Sequence, residues 1–285
     1  MNAMQVPPLR QRAAPARPGP LLALAILLAW SPARARAESE MAAGQKACAD
    51  GNLVACTRVA ATLSVNPGSR DDLVRAEGLF RKACEGGYTD ACYGVGMLWH
   101  STDGLGDDPV LAVSMFERAC QGGHAPGCAQ AGYIRFYGEG DVDRDVDRGG
   151  ALIQRACDRR FGSACIALGR EYQLGEKVPQ DLPRANRLFE AACDQGDGQG
   201  CVLLAAAYQL GVGVRKDAGR ARSLAVKACD ANNAKGCLLA GGVIQHGPKG
   251  SQERGKAVEY FQRACDLGLM EGCDARDQSR APHKR

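Results

Sequence analysis

The sequence predicts an all-α solenoid, in which disulfide-clamped helix-turn-helix repeats stack side by side in one continuous array. Three observations predict it: a regular spacing of cysteines, an amphipathic pattern before the first cysteine of each pair, and helix-ending residues just after it. Length alone would suggest two domains, since the chain has 285 residues. A fixed period favours one array instead, because each repeat buries its apolar face only against its neighbours.

The 14 cysteines form seven C-x₇-C pairs. The first members of the pairs recur every 36 residues, with one step of 37, and they are Cys48, Cys84, Cys120, Cys157, Cys193, Cys229 and Cys265. Regular, even-numbered cysteines in an exported chain favour structural disulfides. The spacing differs from the C-x-x-C of thiol oxidoreductases and zinc knuckles.

The segment before each first cysteine has the pattern of an amphipathic helix. In the fourth repeat, apolar residues three or four positions apart stand at Ala185, Leu188, Phe189, Ala192 and Cys193. Across the repeats a small residue stands eight positions before the first cysteine, and a large one usually stands four before it. We expect the small residue to permit close helix approach and the large one to fill the gap.

A helix-ending residue follows each first cysteine by three positions. These residues are Gly51, Gly87, Gly123, Arg160, Gly196, Asn232 and Gly268. Glycine and asparagine tolerate the left-handed conformation that closes a helix, so Arg160 is the one that does not conform. The second cysteine then begins the next helix, and one disulfide clamps each helix to its antiparallel successor. The predicted bonds are Cys48–Cys56, Cys84–Cys92, Cys120–Cys128, Cys157–Cys165, Cys193–Cys201, Cys229–Cys237 and Cys265–Cys273.

The first 37 residues are predicted to be a secretory signal peptide, cleaved after Ala37. They contain no acidic residue, and arginines precede an apolar run from Leu21 to Trp30. This run has roughly half of the ~20 residues that a spanning helix needs, so no stable membrane anchor is expected. We therefore expect a periplasmic or secreted protein. A mitochondrial transit peptide is the alternative, although the leader contains a single serine, Ser31.

The predicted organisation has four parts. A signal peptide covers 1–37, a partial repeat covers 38–55, six repeats of 36 or 37 residues cover 56–273, and a flexible basic tail covers 274–285. The single 37-residue step and Arg160 both fall in the third repeat, which predicts a local distortion there.

The net charge of +4 does not indicate a nucleic-acid partner. The leader contains five arginines, and without them 31 basic and 32 acidic residues remain. A near-neutral domain lacks the electrostatic footprint that binds a phosphate backbone.

No group of residues predicts catalysis, a cofactor or a metal ion. The S-x-x-K, S-D-N and K-T-G motifs of serine β-lactamases are missing from the sequence. A metal site needs clustered ligands, whereas the four histidines are scattered over the chain at His100, His124, His246 and His283. The stretch from Gly250 to Lys256 resembles a phosphate-binding loop, but Ala257 replaces the Ser or Thr that holds magnesium.

Four aspartates alternate within the third repeat, at Asp141, Asp143, Asp145 and Asp147. Carboxylates in this pattern suggest calcium, but the glycine and the glutamate of a calcium-binding loop are missing. We therefore expect a solvated turn in which one aspartate caps the next helix.

The repeats resemble those of the SEL-one-like family and, within it, the cysteine-rich Hcp-type secreted proteins. The stretches from Cys165 to Tyr172 and from Phe189 to Gly196 carry the resemblance, which extends over nearly all of residues 44–273. It implies an α/α superhelix related to tetratricopeptide repeats, with one disulfide per repeat, that holds protein or peptide partners. Because Hcp-type proteins are commonly labelled β-lactamases for penicillin binding and weak hydrolysis, it implies that activity as an alternative.

The first helices of the repeats carry the predicted binding groove, because such helices usually line the concave side of a superhelix. The candidate groove residues are aromatic: Trp99, Tyr133, Phe136, Tyr172 and Tyr208. Several of them would alternatively fill the core between repeats. We expect an exported scaffold that binds a protein, a peptide or a cell-wall fragment such as peptidoglycan. Penicillin binding with weak β-lactam hydrolysis is the alternative, so the sequence leaves enzymatic activity open.

Overall fold

The computed structural model describes residues 32–65, 67–101, 104–247 and 253–280. These residues form 14 helices, and the β-pairing among them is one isolated antiparallel bridge between Glu139 and Val142. In chain order the helices are α1 (Pro32–Ala49), α2 (Leu53–Val65), α3 (Arg70–Glu85), α4 (Thr89–Trp99), α5 (Pro109–Gln121), α6 (Ala125–Tyr137), α7 (Val146–Asp158), α8 (Gly162–Leu174), α9 (Leu182–Asp194), α10 (Gly198–Leu210), α11 (Ala218–Asp230), α12 (Ala234–Gln245), α13 (Arg254–Asp266) and α14 (Met270–Arg280). The first helix of each repeat carries an even number and the second helix an odd number.

The all-α solenoid predicted from the sequence is confirmed. Each helix packs against the helices before and after it in the chain. Further contacts join first helices to first helices, such as α10 to α12, and second helices to second helices, such as α11 to α13. The core therefore runs along the array as a series of small clusters, as nearest-neighbour packing of repeats requires.

Small residues bring the two helices of a repeat together. A Cβ atom on Gly169 of α8 would lie 2.6 Å from the ring of Phe189 in α9, so only glycine fits beneath that ring. In the fifth repeat Ala225 replaces the phenylalanine, and it packs with Ala205 in a fully buried cluster. The large residue therefore fills the gap between the two helices, as expected, and in the fifth repeat two alanines replace the glycine and the phenylalanine.

Seven disulfides join the last turn of each second helix to the first turn of the next first helix. The bonded pairs run from Cys48–Cys56 to Cys265–Cys273, and each bond spans eight positions of sequence. Between each pair, the residue three positions after the first cysteine has a positive φ, including Arg160 at 67° and Asn232 at 56°. Arg160 thus adopts the same helix-closing conformation as the glycines, at a steric cost that they avoid.

Polar side chains of the second helices and of the turns after them also link successive repeats. Most of them donate to the main-chain carbonyl of the first cysteine one repeat earlier. These bonds join Lys82 to Cys48 (3.2 Å), Arg118 to Cys84 (3.1 Å), Arg159 to Cys120 (3.1 Å), Gln195 to Cys157 (2.9 Å) and Arg263 to Cys229 (3.1 Å). A donor at a helix C-terminus satisfies a carbonyl left open there, and a cation also complements the helix dipole.

The third repeat accommodates its extra residue in the loop between α6 and α7. In the fourth repeat the N–H of the N-cap Asp181 donates to the carbonyl of Tyr172, nine positions earlier, whereas Asp145 donates to Arg135, ten positions earlier. The bridge between Glu139 and Val142 closes this longer loop. The predicted distortion therefore lies in the loop and not at the turn of Arg160.

The C-terminal end of the chain differs from its predicted description. Helix α14 continues to Arg280, so residues 274–280 of the predicted flexible tail are helical, and residues 281–285 lie outside the described part. Most of the predicted signal peptide, residues 1–31, also lies outside it, and Ala37 falls within α1. None of the described helices is both long and apolar enough for a bilayer crossing.

Candidate functional site

The first helices of the third, fourth and fifth repeats each expose an apolar side chain at the same position of the outer surface. One position, nine residues after the second cysteine, carries a large exposed apolar side chain in four of these helices. The residues and their exposed fractions are Val65 at 74%, Tyr137 at 44%, Leu174 at 59% and Leu210 at 71%. We call this surface the first-helix face. Repetition of an exposed apolar residue at one position marks a surface shaped for contact, because isolated exposed apolar residues would fall at unrelated positions.

An apolar cleft of about 500 Å³ lies between the first helices α10 and α12. Val202 and Ala206 of α10 form one wall, and Leu239 and Val243 of α12 form the other. Lys235 and Glu271 stand among the lining residues. A cleft of this kind accepts apolar side chains, while charges beside it can orient what binds.

The outer surface of the second helices is charged instead. Helix α9 carries Arg184, Arg187, Glu190 and Asp194, whereas α10 carries no charged residue. Clefts on this side, such as the one of about 530 Å³ between α7 and α9, are lined by acidic and basic side chains in mixture. Many of these charges pair with one another, as Lys227 does with Asp194 at 2.8 Å.

The predicted aromatic residues contribute little to the first-helix face. Phe136 has none of its surface exposed and is a core residue, so its place in a groove is wrong. Gly149 of α7 allows the backbone of α6 to approach closely here, since a Cβ at Gly149 would collide with the Phe136 backbone. Trp99 and Tyr133 are half-buried and pack against core clusters.

Tyr172 and Tyr208 are half-buried and lie under arginines of the second helix of their own repeat. The Arg184 guanidinium stands 4.2 Å from the centre of the Tyr172 ring, and Arg220 stacks at 5.3 Å on Tyr208 and also donates to its hydroxyl at 2.7 Å. Each arginine covers a face of one ring, so the exposed aliphatic residues two positions further along each helix, Leu174 and Leu210, form the surface instead.

A buried polar cluster lies beneath the first-helix face between α6 and α8. The hydroxyl of Tyr137 donates to Oε1 of Glu171 at 2.6 Å, and Nζ of Lys177 stands 4.0 Å from Oε2. Glu171 is only 8% exposed. Burial, followed by the hydrogen bond to this carboxylate, raises the pKa of Tyr137 well above its ordinary value, so the phenol remains protonated.

The other polar residues that the sequence analysis considered make helix caps or ion pairs within the chain. Asp145 caps α7 by accepting from the N–H of Arg148 at 2.9 Å, as predicted for one aspartate of that turn. Lys256 pairs with Glu253 at 3.6 Å, and residues 250–252 of the phosphate-loop-like stretch lie outside the described residues. Within the described part of the chain, no three His, Cys, Asp or Glu side chains gather as a metal site.

The histidines of the described residues serve local structure or pair with single acids. His124 caps α6, because its Nδ1 accepts from the N–H of Gly127 at 3.0 Å. His100 contacts Glu139 at 3.1 Å. His246 is the C-cap of α12, and His283 lies outside the described residues.

Comparisons with known proteins support the same architecture. The Sel1 repeat model matches six consecutive segments, residues 55–88, 89–124, 125–160, 162–197, 198–233 and 234–269. None of the curated proteins matches the chain in sequence.

Among solved structures, a protective antigen of uropathogenic Escherichia coli with an SLR fold is 22% identical with a TM-score of 0.58. The match covers 84% of this chain but 58% of the antigen, so the chain spans little more than half of that protein's length. A Sel1 repeat protein from Oxalobacter formigenes is 21% identical with a TM-score of 0.59, over 80% of this chain and 87% of that one. Cysteine-rich protein B of Helicobacter pylori also matches, with 22% identity and a TM-score of 0.33. That match covers 59% of this chain and 93% of the Helicobacter protein.

The similarities to the Escherichia coli and Oxalobacter formigenes proteins show the fold, and the SEL-one-like resemblance noted in the sequence is confirmed by the repeat model. The six matched segments extend over most of the chain and follow the period of its cysteines, turns and helices. The chain therefore belongs to the Sel1 repeat family, whose members are helical scaffolds that generally bind protein partners.

Proposed function

We propose that this protein is an exported scaffold that binds a segment of a protein partner, or a peptide, through its first-helix face. The observation that carries the proposal is the recurrence of exposed Tyr137, Leu174 and Leu210 at one position of α6, α8 and α10. An apolar side chain that is exposed to water does not stabilise the isolated chain. It stabilises a complex when a partner buries it, because burial removes apolar surface from water.

The shape of the face supports a polypeptide rather than a sugar polymer as the ligand. The cleft between α10 and α12 is lined mainly by aliphatic side chains, which suit the apolar side chains of a peptide. A peptidoglycan fragment would need polar groups along the groove and free aromatic rings, and arginines already cover the rings of Tyr172 and Tyr208.

The disulfides support an oxidising location outside the cytoplasm. Together with the leader pattern of residues 1–37, they favour a periplasmic or secreted protein, for which the partner is another exported protein or peptide.

Selection of binding peptides from a random displayed library against the oxidised chain tests the proposal. Selected peptides should bind the parent chain and lose at least about tenfold in affinity to a Leu174→Asp/Leu210→Asp variant, because a carboxylate cannot be desolvated beneath an apolar ligand. A matched control places the same charges on the second helices at Val74 and Val110, which are 54% and 51% exposed.

The control variant should bind as tightly as the parent, and circular dichroism should show that both variants keep their helical content. Equal losses in both variants, or peptides whose binding survives both, would overturn the assignment of the face. Saturable hydrolysis of a chromogenic β-lactam by the oxidised chain, lost on reduction, would favour the enzymatic alternative instead.

A further inference from the structure

The fourth repeat places a carboxylate where its neighbours place apolar residues. Glu171 stands six positions after the second cysteine, and the equivalent residues are Leu98, Ile134 and Ala207, all of them buried. Three repeats thus have an apolar side chain at this position, which shows that the fold does not need a charge there. Burial of a carboxylate costs free energy unless charges and hydrogen bonds compensate it.

The compensation of Glu171 is incomplete. Its Oε1 accepts the hydrogen bond from Tyr137, but its buried Oε2 accepts none from any described residue. The nearest cation is the ammonium of Lys177, at 4.0 Å, beyond hydrogen-bond distance. A buried carboxylate oxygen that is left short of donors binds a further donor strongly.

Lys177 also distinguishes this repeat from the repeats on either side of it. It lies in the loop between α8 and α9, two positions after the helix-closing Gly175. In the third and fifth repeats the helix-closing residues are Gly138 and Gly211. The residues two positions after them are also glycines, Gly140 and Gly213. Unlike the third and fifth repeats, the fourth repeat therefore has both the acid and a lysine that approaches it.

The ammonium of Lys177 lies over an aromatic ring as well as near the acid. Its Nζ stands 4.9 Å from the centre of the Tyr137 ring. The ring and the carboxylate together attract a cation, the first through its π face and the second through its charge. A lysine on a loop is a flexible occupant, and 29% of its side chain is exposed.

We propose that Tyr137 and Glu171 form a recognition site for a basic side chain of the partner, which replaces Lys177. The inference rests on the proposed function and names the chemistry of the bound segment. Leu174 lies one helical turn beyond Glu171 and is 59% exposed, so the segment carries an apolar residue beside its arginine or lysine. Lys177 occupies the site intramolecularly in the free protein and competes with the partner.

Two small probes test this inference without knowledge of the partner. One is acetyl-leucyl-arginine amide, and the other is acetyl-leucyl-citrulline amide, which has the same shape without the charge. Nuclear magnetic resonance titration of the oxidised chain follows the signals of Tyr137 and Leu174. The arginine probe should bind about tenfold more tightly than the citrulline probe.

Variants then separate recognition from structural support. Glu171→Gln keeps an acceptor for the Tyr137 hydroxyl and should reduce binding of the arginine probe to the level of citrulline. Lys177→Ala removes the competitor and should raise the affinity for the arginine probe by about three- to tenfold. Lys216→Ala, in the loop after α10, is the matched control and should change neither affinity.

Equal binding of the two probes, no binding of either, or a weaker arginine affinity in Lys177→Ala would overturn the inference. The last result would show that Lys177 supports the structure of the site. These outcomes leave the proposed function standing if peptides selected against the chain still depend on Leu174 and Leu210. Loss of that dependence as well would overturn both.

Discussion

The first and second helices of this solenoid share one core, yet their outer surfaces differ in chemistry. Helix α11 carries Arg220, Arg222, Lys227 and Asp230, while its neighbour α12 carries only Lys235 among charged residues. The charges of the second helices join repeats through ion pairs such as Arg263 with Asp230 at 3.1 Å. Stacking therefore uses the polar surface of one set of helices, and the apolar surface of the other remains available for a partner.

The largest expected effect on the free energy of unfolding comes from removal of a buried apolar residue, whereas removal of an exposed one should change it little. Phe189→Ala removes a ring with no exposed surface from α9 and should lower the free energy of unfolding by about 3–5 kcal/mol. Leu174→Ala on the first-helix face should change it by no more than about 0.5 kcal/mol. Urea denaturation of the oxidised variants measures both, and a large loss from Leu174→Ala would show that this residue belongs to the core.

The second largest effect on the free energy of unfolding comes from loss of a disulfide between a second helix and the next first helix. Replacement of Cys193 and Cys201 by alanine opens the bond between α9 and α10, which spans eight positions. In the chain-entropy model a loop of this length contributes about 2–3 kcal/mol. The same denaturation measurement should show that loss with unchanged helical content in water. An unchanged midpoint would mean that helix packing alone holds the turn.

The turn after α7 offers a stabilising substitution. Arg160 has a φ of 67°, a conformation that glycine adopts without the steric cost of a Cβ. Arg160→Gly should therefore raise the free energy of unfolding by about 0.5–1 kcal/mol. Asn232→Gly is the control and should give a smaller gain, since asparagine tolerates this conformation. A loss of stability in Arg160→Gly would reveal contacts of the arginine that outweigh its backbone strain.

The smallest effect is a pH dependence of the unfolding free energy that arises at the N-terminus of α6, the first helix of the third repeat. Burial lowers the pKa of His124 below its ordinary value, and Asp90 opposes this in part. The folded state thus favours the neutral ring, whose Nδ1 accepts from Gly127. Its contribution to stability is complete above about pH 6.5 and is lost as the pH falls below that value.

His124→Asn keeps a capping oxygen but does not titrate in this range. The difference in unfolding free energy between about pH 7.5 and 5.5 should be smaller in this variant than in the parent chain. Identical differences would assign the pH dependence to other groups.

The sequence predicted the features that depend on neighbouring residues. The disulfide turns, the left-handed positions and the large residue that fills the gap between two helices are each set within a short segment or one helix pair. The groove residues were not predictable in this way. Phe136 lies in the core at a point where Gly149, on another helix, approaches its backbone, and the direction of a side chain depends on how two neighbouring helices pack.

The acid at Glu171 was missed, although a comparison of equivalent positions among the repeats would have shown it. An acidic residue where Leu98, Ile134 and Ala207 stand is visible in the sequence alone. What the sequence does not show is that Lys177 and Tyr137 lie beside it, since the loop conformation brings the lysine there.

The disulfides have a consequence for proteolysis, because the units they close are one helix out of step with the sequence repeats. The closed units are helix pairs such as α3 with α4 and α9 with α10. A protease that cuts inside such a turn leaves both sides of the cut covalently tied. A cut in a loop between the helices of one repeat, such as 175–181, divides the chain. Limited digestion should therefore release helical hairpins that each contain halves of two repeats.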